Sequence, residues 1–272
     1  MICPTCGKLI GVGEPRCPFC GAWRPGLYGW SPVLQRFFGS RLDLVALITG
    51  ACVVLYIVAL VLQPEAIFQV GGGLQFLSFL SPGTRALYQL GMTGGFAWSQ
   101  GWWWTLLTAI YLHGGLLHIL FNMIALRNLG QAFSQAYGAA RAFIIFSLAG
   151  AIGFLVSNLI SAHPSIGASG SIYGVIAALI VYGRRHGHHM LTNQLWQWAI
   201  FMFALSFAMS GVNNWAHAGG FAGGWVAGTT LQPRDDGREH PAVQVLALAL
   251  IGVTAVGFVL SFVRVTSVLM MR

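Results

Sequence analysis

The chain has 272 residues, of which 56% are hydrophobic and only 7% charged, and it carries 36 glycines. Soluble domains carry about 25% charged residues and about 7% glycine, so an ordinary water-soluble domain is excluded for most of the length. The formal net charge of +8 does not point to nucleic acid, because the basic residues are scattered between apolar runs. They set orientation in a membrane instead, and no nucleic-acid partner is expected.

The first segment, residues 1–25, reads as a separate unit. It opens Met1-Ile2-Cys3 without a charged n-region or an early apolar core, so no signal peptide is expected. Cys3-Pro4-Thr5-Cys6-Gly7 and Cys17-Pro18-Phe19-Cys20-Gly21 are two copies of CPxCG. Each pair can place two thiolates on one metal, and four thiolates close a tetrahedral structural site with no open position. Two disulfides, a redox pair or iron are the alternatives. The matched knuckles favour zinc on Cys3, Cys6, Cys17 and Cys20, and the segment resembles a zinc ribbon. Its expected role is structural or in recognition of a cytoplasmic partner, and it should fold only with metal bound. The fifth cysteine, Cys52, sits alone in an apolar run as a lipid-facing or packing residue.

Residues 26–42 read as a linker. Leu44–Leu62 is the first run long enough to cross a bilayer, with Asp43 at its entry. Residues 63–114 are apolar but broken at Gly71-Gly72-Gly73, Pro82-Gly83 and Gly94-Gly95, which rules out one long helix. Trp98 and Trp102-Trp103-Trp104 suit the membrane interface, so this stretch is expected to be a long loop lying partly in the outer leaflet. Six further spans are expected at 115–131, 140–161, 169–182, 194–210, 215–231 and 243–263. The span that starts at Ser169 is short. It is expected to begin inside the membrane, after a non-helical segment at 163–168 that protein or a wet cavity must cover.

With the N-terminus in the cytoplasm, eleven Lys and Arg residues fall inside and three (Arg85, Arg264 and Arg272) fall outside. That asymmetry favours seven helices with N-in and C-out. It also places the cysteine module in a reducing compartment, which favours metal over disulfides. The expected organisation is a cytoplasmic zinc-ribbon-like module at 1–25, a linker at 26–42, a membrane core at 43–231, a cytoplasmic loop at 232–242, and a seventh transmembrane helix with tail at 243–272. The fold class is an all-α polytopic membrane protein.

The chemistry is narrowed by what the spans lack. Every Asp and Glu lies outside them, so a two-carboxylate intramembrane protease and a carboxylate-coupled carrier both fail. No HExxH is present for a membrane zinc protease. The spans and their edges do keep His113, His118, Asn122, Ser169, Tyr173 and His217. His118 and Asn122 are four apart and share a helix face. They are either interhelical glue or donors for a developing oxyanion. Ser169 stands in Gly167-Ala168-Ser169-Gly170-Ser171, which lets a substrate approach closely. Position 171 is Ser, so the stretch is not the esterase elbow G-x-S-x-G. Gly220, Gly224 and Gly228 repeat along one helix face, and Gly170, Gly174 and Ala178 along another. Such faces pack near backbone contact. Packing of this kind would bring His217 within hydrogen-bond reach of Ser169 and supply a general base.

His113, His118-Ile119-Leu120-Phe121-Asn122, Gly167-Ala168-Ser169-Gly170 and Ala216-His217-Ala218-Gly219-Gly220 with Gly224 together resemble the rhomboid family of intramembrane serine proteases. The resemblance covers roughly residues 44–231, the family's six-helix core, and the helix at 243–263 looks like the additional seventh span. It implies Ser169 as nucleophile and His217 as base. It implies an oxyanion hole of His118, Asn122 and the Ser169 backbone N–H, with His113 in support, and Tyr173 stacked on the catalytic histidine. The family's Trp-Arg pair, nine residues before the first histidine, is Trp104-Thr105 here. The glycine that many members have four residues before the alanine of the Ala-His pair is Val212, with Gly211 beside it.

The mechanism implied is a Ser–His dyad with no acidic third member and no cofactor for catalysis. The expected substrate is a membrane protein with a transmembrane helix that unwinds near the outer surface, cleaved at small residues. Residues 163–168 and 209–214 are expected to wall a wet cavity at Ser169. The expected location is a bacterial inner or plasma membrane. The rival reading is a non-proteolytic protein that uses the same fold to bind or escort client helices.

Overall fold

Lipid offers a backbone no hydrogen-bond partner, so apolar chain inside it must become helix. A computed structural model describes residues 2–3, 6–11, 14–22, 43–68, 80–209, 211–232 and 241–270. The whole expected linker 26–42, the Gly71-Gly72-Gly73 break and most of the loop 232–242 lie outside the described residues. Over the described residues the chain forms α1 (Leu44–Leu62), three short helices α2 (Thr84–Gln89), α3 (Gly95–Ser99) and α4 (Thr105–Thr108), and then α5 (Leu116–Tyr137), α6 (Ala139–Ile160), α7 (Ser169–Arg185), α8 (His189–Ser206), α9 (Asn214–Thr230) and α10 (Pro241–Met270). Among the described residues, three spans are long and apolar enough to cross a membrane on length and composition alone: α1, α6 and Ala242–Val268 of α10. The pair Thr105–Tyr111 and Leu116–Tyr137, bent by 92°, meets the same test when taken together.

Polar caps and burial set the helix ends. Asp43 Oδ1 accepts from the backbone N–H of Val45 and Ala46 at 3.0 and 3.2 Å, which starts α1 at the expected residue. α5 runs six residues past the expected end at 131, because Phe133, Ala136 and Tyr137 are buried. The Tyr137 hydroxyl lies 2.8 Å from Ala178 O and 3.2 Å from Gly228 O, tying α5 to α7 and α9. α8 begins at His189, five residues before the expected start, because Thr192 packs on Gly183 and bonds His188 O. The expected loop at 63–114 contains the three short helices and two 3₁₀ turns. Cys52 is fully buried in α1, which makes it a packing residue.

α7 is the hub. It is buried along almost its whole length and packs against α5, α6, α8 and α9. The α7–α9 crossing needs its glycines. A Cβ on Gly220 would fall 2.1 Å from Gly170 O, and one on Gly224 would fall 2.2 Å from the Gly174 Cα. Backbones approach this closely only where neither helix has a side chain. α10 lies at the rim against α2, α4 and α6. Its Val245, Leu248, Val259 and Val263 point outward, as lipid requires.

Candidate active site

The site lies where α7 and α9 begin. Residues 162–168 enter as an irregular strap. Thr93 and Ser165 exchange backbone hydrogen bonds of 3.3 and 2.9 Å across it, which satisfies backbone groups that lipid would leave bare. α7 starts at Ser169 itself. The glycine crossing brings α9 alongside, and His217 Nε2 lies 2.8 Å from Ser169 Oγ. Forty-eight residues of sequence separate the two. Tyr173, one turn after Ser169, stacks on the His217 ring with centroids 4.5 Å apart and planes at 24°.

His118 stands on the other side of the serine. Its Nδ1 accepts the Gly114 backbone N–H at 3.2 Å. In a neutral imidazole this leaves the proton on Nε2. A Cβ built on Gly167 would fall 2.7 Å from His118 Nε2 and 3.9 Å from Ser169 Oγ. The missing side chain therefore leaves a small space between a donor and a hydroxyl. Gly167 also has φ +123°, a conformation that L side chains rarely adopt. Asn122 donates to His118 O at 2.8 Å and keeps a second N–H.

The family profile described as Rhomboid domain matches residues 100–234. Over 140 residues the chain is 31% identical to the putative rhomboid protease YdcA of Bacillus subtilis, covering 47% of this chain and 67% of that protein. The chain belongs to the rhomboid family. It is also 34% identical over 177 residues to the rhomboid protease GluP of Bacillus subtilis, covering 62% of this chain and 35% of GluP. It is 33% identical over 137 residues to RHOMBOID-like protein 1 of Arabidopsis thaliana, covering 46% of this chain and 33% of that protein. The chain thus spans about a third of the length of these last two relatives. With its apolar helices, this rhomboid is an integral membrane protein.

His113 is 1% exposed and sits at the break between α4 and α5. It meets His118 edge to face at 5.0 Å, so it supports that ring and does not border the cavity. The cavity at the dyad, about 410 Å³, is apolar and lies between α5 and α8. Phe121, Leu129, Ile176, Trp198 and Met202 line it, and Ser169 and His217 border it. Met209 and Val212 contribute, as expected of 209–214, but the 163–168 strap does not. The strap is occupied instead in pairing with Thr93 and in covering His118.

The loop before the site is held without the Trp-Arg pair. Trp104 donates its indole N–H to Ser261 Oγ of α10 at 3.0 Å. Thr105, fully buried, bonds Trp102 O at 2.6 Å and Thr93 Oγ1 at 3.1 Å. These contacts join partners up to 157 residues apart, and no sequence period announces them.

The four thiols of the N-terminal module gather within 4.8 Å of one another. Cys3 and Cys20 sulfurs are 3.8 Å apart, and those of Cys6 and Cys17 are 3.7 Å apart. A tetrahedron with metal–sulfur bonds of ~2.3 Å has edges of roughly 3.8 Å, so the donor set fits one metal. Gly7 and Gly21 both take φ +71°, the left-handed turn a knuckle requires. Against its own desolvation, which raises it, backbone N–H groups of Phe19 and Cys20 and the neighbouring thiols lower the Cys17 thiol to about 7.

Proposed function

We propose that this rhomboid is an intramembrane serine endopeptidase. The observation that carries the reading is the 2.8 Å contact between Ser169 Oγ and His217 Nε2 at the edge of an apolar cavity between α5 and α8. Ser169 attacks the scissile carbonyl while His217 Nε2 takes the hydroxyl proton. The oxyanion forms in the space beside Gly167, where His118 Nε2–H, the Ser169 backbone N–H and the second N–H of Asn122 are the available donors. His217 then returns the proton to the leaving amine, and water hydrolyses the acyl-enzyme. His217 Nδ1 has no hydrogen-bond partner among the described residues, so stacking on Tyr173 replaces a carboxylate as the orienting contact.

The substrate is a membrane protein whose transmembrane segment enters between α5 and α8, where the cavity walls are apolar. The N-terminal module holds a structural zinc on Cys3, Cys6, Cys17 and Cys20, faces the cytoplasm and serves a cytoplasmic partner. The C-terminus lies outside, and the membrane is a bacterial inner or plasma membrane. A non-proteolytic client binder would have no use for a base bonded to its serine, so the dyad supports cleavage over escort.

The test is cleavage of a reconstituted model transmembrane helix together with labelling by a fluorophosphonate. Wild type is expected to cleave and to be labelled at Ser169, and Ser169→Ala and His217→Ala to do neither. Folded wild-type protein that neither cleaves nor labels would overturn the reading.

A further inference from the structure

His217 can serve as a base only if α9 is held at one height and rotation relative to Ser169, and the glycine crossing alone permits sliding. One side chain ties the two together. Asn213 is the N-cap of α9, and its Oδ1 accepts the Ala216 N–H at 3.1 Å. Its backbone carbonyl accepts the His217 N–H at 3.2 Å. Its Nδ2 donates to Ser157 Oγ of α6 at 2.5 Å and to Ser165 Oγ at 2.6 Å. Ser165 lies in the strap four residues before Ser169. Both carboxamide N–H groups and the oxygen are therefore used, on three different elements: the base's helix, the nucleophile's strap and the helix between them.

We infer that Asn213 is a positioning residue that fixes the Ser169–His217 distance. The inference rests on the proteolytic reading of that pair. The tie does not end at Ser165, whose backbone pairs with Thr93. Thr93 Oγ1 in turn bonds Asn158 Nδ2 at 3.0 Å and Thr105 Oγ1 at 3.1 Å. Ser157, Thr93 and Thr105 are fully buried, where a polar group that loses its partner is costly. A continuous hydrogen-bonded chain thus runs from the buried Thr105 to the first turn of the helix that bears His217. A hydroxyl can donate as well as accept, so aspartate at 213 would keep the cap and accept from Ser157 Oγ and from Ser165 Oγ, the latter turning from His163 O, to which it donates at 2.9 Å. Leucine would keep the size and the backbone bond to His217 N–H but lose every side-chain contact.

The experiment measures the rate of fluorophosphonate labelling at Ser169 in the full-length protein, with kcat and KM for a model helix and a thermal unfolding midpoint. Asn213→Leu is expected to slow labelling and lower kcat by about tenfold or more, the scale of one lost orienting contact, with KM unchanged. Asn213→Asp is expected to restore both to within about threefold. If Asn213→Leu does not fold, Ser157→Ala/Ser165→Ala takes its place and is expected to slow labelling several-fold. Labelling at the wild-type rate in a folded Asn213→Leu or double-serine variant would overturn the inference. So would an equal loss in kcat for Leu and Asp. Failure of wild type to label would overturn the proteolytic reading instead, so the two failures are distinguishable.

Discussion

Trp104 and Ser261 are 157 residues apart in sequence and joined by one 3.0 Å hydrogen bond. This contact fastens the loop ahead of the site to the seventh long helix. Gly257, one turn before Ser261, leaves room for the indole: a Cβ there would lie 3.3 Å from Trp104 Cβ and 3.1 Å from Thr108 Cγ2. Tyr111 meets Phe258 at 6.3 Å in the same interface. α10 is therefore expected to support activity from outside the catalytic core. Removing residues 241–272 is expected to lower cleavage by about tenfold, equivalent to ~1.4 kcal/mol. Ser261→Ala is expected to cost about 0.6–1.7 kcal/mol of stability, the range of single interhelical hydrogen bonds in lipid. Cleavage assays on the truncation and thermal unfolding of Ser261→Ala check this. A truncated protein with full activity would detach α10 from function.

The α7–α9 crossing gives a second expectation. Gly224 meets Gly174 backbone to backbone, and a methyl group there has nowhere to go. Gly224→Ala is expected to cost about 1–3 kcal/mol from overpacking and to reduce cleavage by separating the dyad. Gly252→Ala in α10 is the control, because nothing lies within 4 Å of its Cβ. It is expected to leave activity at the wild-type level. Equal behaviour of the two variants in unfolding and cleavage assays would remove close packing as the reason for the glycines.

Much of this arrangement was legible because it is periodic. The four-residue spacing of Gly220, Gly224 and Gly228 announced a close crossing, and the crossing brings His217 to Ser169. The CPxCG repeats announced the thiol cluster in the same way. The contacts that were not legible join single residues across long separations without a repeat. Asn213 looks like any helix cap until Ser157 and Ser165 are found beside it, and nothing in Trp104-Thr105 names Ser261 or Thr93. The cavity was legible in part. Ser169, His217 and the 209–214 segment border it as expected, whereas the apolar side chains of α5 and α8 that line it, Phe121 and Trp198 among them, are brought together by tertiary packing that periodicity does not specify.

The space beside Gly167 is the next target. If it holds the oxyanion, removing its donor or filling it should have the same effect. His118→Ala is expected to lower kcat by about 10²-fold, typical of one lost oxyanion donor. Gly167→Ala is expected to do likewise, since its Cβ would stand 2.7 Å from His118 Nε2 and φ +123° disfavours alanine. KM should change little in both. A Gly167→Ala variant with normal kcat would show that the oxyanion lies elsewhere.

Tyr173 offers a test of orientation without a carboxylate. The stacked ring, 4.5 Å from His217, restrains the imidazole face that no hydrogen bond at Nδ1 restrains. Tyr173→Phe keeps that face and is expected to retain activity within about twofold, whereas Tyr173→Ala is expected to lose about tenfold, near the upper end of an aromatic pair's contribution of ~0.5–1.5 kcal/mol. Kinetics of the two variants on one model helix decide it. Equal rates would assign the orientation of His217 to other contacts.

The cysteine module separates metal binding from catalysis. Two sulfur pairs between the knuckles, Cys3–Cys20 and Cys6–Cys17, stand at 3.8 and 3.7 Å, the edge length of a metal-centred tetrahedron, and all four cysteines are free thiols. Elemental analysis of the purified protein is expected to give one zinc per chain. Cys3→Ser/Cys17→Ser removes one thiolate from each knuckle, and loss of the metal is expected to follow, because a site closed by four thiolates keeps little affinity with two. Labelling of Ser169 should proceed at the wild-type rate in that variant, since no reacting group lies in the module. Substoichiometric zinc together with an oxidised CxxC pair would replace the metal site with a redox pair. A fall in Ser169 labelling on zinc loss would make the module part of the enzyme's control.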